Sequence, residues 1–369
     1  MLSKFFFIDN TQTHKILCVC GLKFKFRKKN DLKKINSNKL QDSDSCYMSK
    51  QLENKNFIFK FYPCEEIFPK NFYNDFITED LTEKYINLIR GLDVKSIKLI
   101  NRILYRIISF AKYKKTDFFV EEEEYKEIIE MLHPDIISPV SLGNGYNAVN
   151  GYCLSGTINC GAGVICKHFV NDFLNKNKIL NGNIIDAGAY IGDSAIVLSD
   201  YTNLKVYAFE PENSNFENLK RSIAINKLEN KIIPVNSGIS DVETEMVITI
   251  PAGSEIGAYI EQKDNMQDLE KKQIVKTICI DKYVSENEIK VGLIKTDVEG
   301  FEQCLLKGAY ETIKRDKPSL IISTYHNFDD FWNIKPLIED WNLGYTFKFR
   351  KPSTLDFCGD LCLLAEVLE

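Results

Sequence analysis

Ile184 to Asp193 reads Ile-Ile-Asp-Ala-Gly-Ala-Tyr-Ile-Gly-Asp, and Val206 to Pro211 reads Val-Tyr-Ala-Phe-Glu-Pro. Each is an apolar run that stops at an acidic residue. The first passes at once into a glycine-bearing turn and an apolar helix, which is how a Rossmann-like sheet opens a nucleoside-binding crevice. Two such segments in succession restrict the chain to a small set of α/β folds and point to a nucleoside cofactor.

The turn narrows the choice of cofactor. A dinucleotide fold uses the pattern G-x-G-x-x-G, so that backbone N–H groups can close on a pyrophosphate. Counting from Gly188, the second and third glycine places hold Tyr190 and Asp193. A carboxylate repels a pyrophosphate and a tyrosine blocks close approach, so NAD and FAD, and with them an oxidoreductase, are disfavoured. S-adenosylmethionine has no phosphate. Its amino acid end and sulfonium suit a carboxylate-lined turn, and its ribose diol needs a bidentate acceptor. Glu210 ends the second strand near the spacing of about 20 residues at which that acceptor is expected.

In order along the chain come Asp186-Ala-Gly-Ala-Tyr-Ile-Gly192, Ala208-Phe-Glu-Pro211, a helix ending Ile225-Asn226, and Ile294-Lys-Thr-Asp-Val-Glu-Gly-Phe-Glu302 with Leu306-Lys-Gly-Ala309. This series resembles that of the FkbM-family methyltransferases, over residues 180 to 369. Tyr190 stands where the family turn commonly has asparagine. Enzymes of that family depend on S-adenosylmethionine and mostly methylate hydroxyl oxygens, often on sugars or polyketides. The resemblance therefore implies O-methylation of a small-molecule or glycan hydroxyl, with a sugar of a surface polysaccharide or its precursor as the favoured acceptor. A non-catalytic scaffold that keeps the fold is the alternative.

A formal net charge of −5 argues against a general nucleic-acid binder, and 44% hydrophobic residues suffice for a real core. Eleven cysteines at irregular spacings in a chain of this length read as reduced thiols rather than a disulfide scaffold. The Phe5–Ile8 patch is too short for a secretory signal, and no run approaches the length of a membrane span. A cytoplasmic protein is expected.

Three regions follow from patterning. Residues 1–50 are an N-terminal β-hairpin module and a polar linker, with Leu22, Phe24 and Phe26 alternating with Lys23, Lys25 and Arg27 at the period of a half-buried strand. The basic stretch from Lys23 to Lys39 is either a solvated face or a weak contact for acidic lipid headgroups. Residues 51–175 are a helical accessory region, carried by Ile97, Ile100, Ile103, Leu104, Ile107 and Ile108, then a glycine-rich segment from Gly143 to Gly163 that breaks regular structure and serves as a lid or a connector. Residues 176–369 are the Rossmann-like domain, a mostly parallel sheet of seven strands with a hairpin inserted between Val242 and Ile280.

Ligands in such sheets bind beyond the carboxyl ends of the strands. The polar residues there give the cofactor set Asp186, Gly188, Tyr190, Gly192, Asp193, Glu210, Ser240, Asp241 and Asp297. Asp297 and Glu299 end the fourth strand, where methyl-facing groups are expected. His326 lies just past the fifth and is a candidate general base, since a hydroxyl is protonated at neutral pH and attack on the methyl group is helped by proton removal. Asp297 is the competing base. No metal is expected.

Overall fold

The computed structural model describes residues 6–10, 14–19, 22–27, 57–63, 65, 68, 69, 71–131, 139–158, 164, 166–250, 259, 260 and 271–368. The linker Asn30–Lys50, the basic stretch beyond Arg27, Gly161, Gly163 and the charged loop Glu261–Glu270 lie outside them.

Strands β1 (Phe6–Asn10), β2 (His14–Val19) and β3 (Leu22–Arg27) pair antiparallel in a sheet of their own. The module is thus three-stranded rather than a hairpin. The apolar patch near the start supplies the extra strand.

The accessory region holds β4 (Phe57–Lys60), α1 (Phe72–Thr78), α2 (Thr82–Ile89), α3 (Val94–Tyr113), β5 (Asp117–Val120) and α4 (Glu122–Met131). Ile100, Ile103, Leu104 and Ile107 recur at helical spacing and make the buried face of α3. The Asp93 carboxylate accepts from the Ser96 N–H at 2.6 Å and caps its start.

The glycine-rich segment was expected to break regular structure, yet its described part does not: β6 (Val140–Gly143), β7 (Tyr146–Val149) and β8 (Tyr152–Ser155) form an antiparallel meander. Its two turns are Asn144-Gly145 and Asn150-Gly151, with all four residues at positive φ. Asn-Gly is the pair that a tight hairpin turn favours, because both central residues must be left-handed.

The rest of the chain is doubly wound. In order it contains α5 (Lys176–Leu180), β9 (Asn183–Ala187), α6 (Asp193–Ser199), β10 (Val206–Phe209), α7 (Asn213–Ile225), β11 (Ile232–Val235), β12 (Gly238–Ile239), β13 (Glu245–Ile250), β14 (Tyr259–Ile260), β15 (Lys271–Ile278), α8 (Ile280–Glu286), β16 (Val291–Thr296), α9 (Glu302–Gly308), α10 (Tyr310–Asp316), β17 (Ser319–Ser323), α11 (Phe328–Asp340), β18 (Tyr345–Arg350) and β19 (Cys362–Val367). The seven-stranded sheet runs β11-β10-β9-β16-β17-β19-β18, with β19 antiparallel to both its neighbours. Every residue of β16 and β17 is buried, as expected of strands covered on both faces. The inserted hairpin is β13 and β15, within a smaller sheet ordered β12-β15-β13-β14. Two helices, α9 and α10, follow β16, interrupted at Ala309.

Strand order reverses between β9 and β16, so the crevice for a ligand opens beyond their carboxyl ends. Among the described residues, no helix is long and apolar enough to cross a membrane.

Candidate active site

The turn after β9 is built by close approach. A Cβ on Gly188 would lie 1.8 Å from the Asp297 carbonyl oxygen, and its φ is +76°, so only glycine fits. The Gly188 and Ala189 N–H groups both donate to the Phe209 carbonyl, which ties this turn to β10. Tyr190 has φ +48°, a left-handed conformation that asparagine tolerates better than tyrosine. Its hydroxyl donates to the Thr157 carbonyl at 3.0 Å, which holds the segment after β8 over the turn.

Asp186 is fully buried beneath this turn. Its Oδ2 accepts from Ser194 Oγ at 2.6 Å, and Lys295 Nζ lies 3.1 Å from its Oδ1. The same Nζ donates to the Gly188 carbonyl at 2.8 Å. Burial alone would lower the Lys295 value, but Asp186, Asp297 and Asp193 outweigh it and keep the ammonium charged. The aspartate thus stiffens the loop from below and does not line the cleft. Gly192, with φ +94°, precedes the first residue of α6 and also lies behind the lining.

The cleft itself is lined by Gly188, Tyr190, Asp193 and Ser194, by Glu210 and Pro211, by Ser237, Gly238 and Ile239, and by Asp297 and Glu299. Glu210 Oε2 accepts from the Tyr190 N–H at 2.9 Å and Oε1 from the Glu212 N–H at 2.8 Å. Burial pushes the Glu210 carboxyl up to about 8 despite these bonds, and pushes Asp193 up to about 6. Phe209, Ile239, Ile248 and Val275 give one end of the cleft an apolar wall.

Ser240 and Asp241 are corrected. Neither lines the cleft. Ser240 Oγ donates to Asp241 Oδ1, and the Ser240 carbonyl is packed so tightly on Gly308 that a Cβ there would lie 2.4 Å away. Their place in the lining is taken by Ser237 to Ile239.

His326 is corrected as well. It is buried beside the cleft and is not part of its lining. Its Nδ1 lies 2.9 Å from Glu302 Oε1, and its Nε2 lies 3.2 Å from Asp297 Oδ1 and 3.5 Å from Glu299 Oε2. Burial would lower its value, but Glu302, Asp297 and Glu299 outweigh it and raise it well above the usual histidine range. Surrounded by three carboxylates and outside the lining, His326 sits as the hub of an acidic cluster and is poorly placed to take a proton from a group in the cleft. Asp297 feels the reverse. Burial would raise it, yet His326 and Lys295 hold it well below the carboxylate range.

Glu302 completes the hub, accepting from the Val298 N–H at 2.9 Å and the Gly300 N–H at 3.0 Å. Asp297, Glu302 and His326 bring one ligand atom each within 4.8 Å of one another. A cation there would compete with the charged imidazole that already balances the two carboxylates.

Sequence reasoning missed Lys295, Ser194, Glu302 and His168. The lysine is an isolated basic residue in an apolar strand, which is a readable signal of a buried ion pair. His168, ahead of α5 in the turn Lys167–Asp172, lines the cleft and carried no periodic signal.

Residues 186–349 match the family model described as the methyltransferase FkbM domain. The chain carries an FkbM methyltransferase domain. The matched region runs from Asp186 in β9 to Phe349 in β18 and so contains most of the crevice lining and both of its acidic strand ends, with His168, Asp360 and Cys362 outside it. The seven-stranded, mostly parallel sheet of this region is Rossmann-like. Among solved structures, the methyltransferase FkbM from Methylobacillus flagellatus KT aligns with a TM-score of 0.47 at 19% identity, over 77% of this chain and 58% of that one. The chain thus spans less than two thirds of that protein's length. An rRNA methylase from Streptococcus thermophilus gives 0.32 at 11% identity, over 56% of this chain and 97% of that one. SMU.1697c from Streptococcus mutans, a candidate methyltransferase in complex with SAH, gives 0.32 at 13%, over 53% and 96%. No curated protein matches the chain.

Proposed function

We propose that this protein transfers the methyl group of S-adenosylmethionine to a hydroxyl oxygen, with a sugar of a surface polysaccharide or its precursor as acceptor. The observation that carries the donor assignment is Glu210. It ends β10, faces the crevice at the switch point, and keeps acceptor capacity on both oxygens beyond the two backbone bonds it already makes. That suits a ribose diol.

The remaining residues fit the group in the same way. The apolar wall of Phe209, Ile239 and Val275 suits an adenine, and Asp193 and Asp297 suit the ammonium and sulfonium charges. When bound, the donor supplies an electrophilic methyl carbon. The chain's own part is to hold oxygen, carbon and sulfur in line, which contributes roughly 7–11 kcal/mol when geometry alone is considered. The hydroxyl acceptor and its sugar rest on resemblance to the FkbM family. Cys153, Cys166, Cys279, Cys304 and Cys362 carry free thiols, which fits a reducing compartment, and we assign the reaction to the cytoplasm.

Isothermal titration of the purified protein with S-adenosylmethionine tests the donor. Micromolar binding is expected, and no heat at millimolar donor refutes it. Mass spectrometry of surface glycan from a deletion strain tests the acceptor: loss of one methyl mark is expected, and an unchanged glycan refutes the sugar.

A further inference from the structure

We propose that His168 takes the proton from the acceptor hydroxyl as the methyl group moves, an assignment that rests on the O-methyl transfer proposed above. It goes beyond that reading by naming the base, on four observations.

First, His168 lines the same cleft as Asp193, Glu210 and Asp297, although it comes from a different part of the chain. Second, the ring is 7% exposed and its Nε2 is buried without a hydrogen-bond partner. Buried polar atoms in this state are uncommon, because an unmade bond costs the full desolvation of the group. Third, the backbone that presents it is strained. Lys167, His168 and Phe169 have φ of +50°, +49° and +56°, three successive left-handed residues of which none is glycine or asparagine. Fourth, the ring is neutral. Burial, helped by Lys295 and opposed by Asp297, lowers it to about 3. Lys295 and Asp297 belong to the end of β16 and the loop after it, so the imidazole sits at the acidic strand end where the methyl group is expected.

The other candidates are turned toward one another: Asp297 Oδ1 lies 3.2 Å from His326 Nε2 and accepts from the Tyr325 hydroxyl at 3.3 Å, and Glu299 Oε2 lies 3.5 Å from the same Nε2. The His168 Nε2 lone pair is free. The step balances without another reagent: the acceptor oxygen forms a bond to the methyl carbon, the carbon–sulfur bond breaks with its electrons going to sulfur, and the O–H proton passes to Nε2. One positive charge leaves as sulfonium and reappears as imidazolium. A weak base suffices, because the alkylated hydroxyl is a far stronger acid than the imidazolium that forms when it protonates the ring.

The test compares two probes, S-adenosylhomocysteine and sinefungin, in the full chain. Sinefungin carries an amine where the donor carries its methyl group, so its ammonium reports on the acceptor atom facing that point. Wild type should bind sinefungin more tightly than S-adenosylhomocysteine. His168→Asn, chosen because asparagine tolerates the left-handed backbone, should bind S-adenosylhomocysteine within about threefold of wild type and lose about tenfold or more of its sinefungin affinity, the range for a hydrogen bond to a charged group. His168→Gln, which restores an acceptor atom, should recover part of that loss. Equal loss of both probes, or loss of neither, overturns the assignment. Wild type binding neither probe instead refutes the donor reading itself.

Discussion

Glu210 illustrates how one buried carboxyl can couple binding to pH. Its value of about 8 arises because burial opposes charge. Ribose hydroxyls donate best to the ionised form, so binding below pH 8 must release a proton. Affinity for S-adenosylmethionine should rise with pH up to about 8 and then level off, falling about tenfold per unit below that value. Titration in two buffers of different ionisation enthalpy reads the released proton directly. Glu210→Gln should bind about 10-fold to 100-fold more weakly and without the pH slope; a variant with the wild-type slope would exclude Glu210 as its source. His326 makes the opposite kind of claim. Its folded value lies above the ordinary histidine value of about 6.5, so the stability it contributes is complete below that pH and is lost as pH rises through the folded value. Removing it leaves Asp297, Glu299 and Glu302 facing one another, and His326→Gln should cost about 3–5 kcal/mol. Thermal melting across pH checks both parts: wild type should lose stability on the alkaline side, and the variant should be less stable throughout with a flatter profile.

At the scale of elements, the site depends on the contact between the turn after β9 and the loop after β16. Gly188→Ala puts a methyl group 1.8 Å from the Asp297 carbonyl at a φ that alanine resists, so the two loops must part. The expected result is loss of donor binding with destabilisation of about 3 kcal/mol or more; donor binding within threefold of wild type would show that the contact is dispensable. This contact also marks how much could be read beforehand. The places of Gly188, Glu210 and Asp297 at the cleft were legible because strand ends and turn glycines leave a local pattern, whereas Asp186, read with them, lies beneath the turn. Ser240 and Asp241 misled, since position after a strand does not say which way a short loop turns, and Gly308 draws that loop away. The two Asn-Gly turns between Gly143 and Ser155 were present in the sequence, yet a count of glycines obscured them. His168 left no trace at all, because a run of three left-handed residues has no periodicity to detect.

Across the whole molecule, the boundary drawn near residue 175 separates composition but not packing. Phe357, close to the C-terminus, meets Tyr73, Phe110 and Phe118 of the accessory region. Phe328, Phe331 and Trp332 of α11 all pack on Phe76 of α1. The Phe349 N–H donates to Ser96 Oγ at 2.8 Å, so α3 is also bonded to β18. These pairs are far apart in sequence and follow no repeat, which is why the helices could be foreseen and their seat could not. One core serves both regions. Fully exposing one such aromatic side chain costs about 1.5–3 kcal/mol, and four of them together approach the 5–15 kcal/mol that stabilises a typical domain. A chain of residues 176–369 should therefore fail to fold on its own, despite containing all seven strands of the main sheet, whereas residues 57–369 should melt within a few degrees of the full chain. Circular dichroism melts and size-exclusion chromatography of the two truncations decide the matter: a cooperative, monodisperse 176–369 would mean that the accessory region is an attachment rather than part of the core.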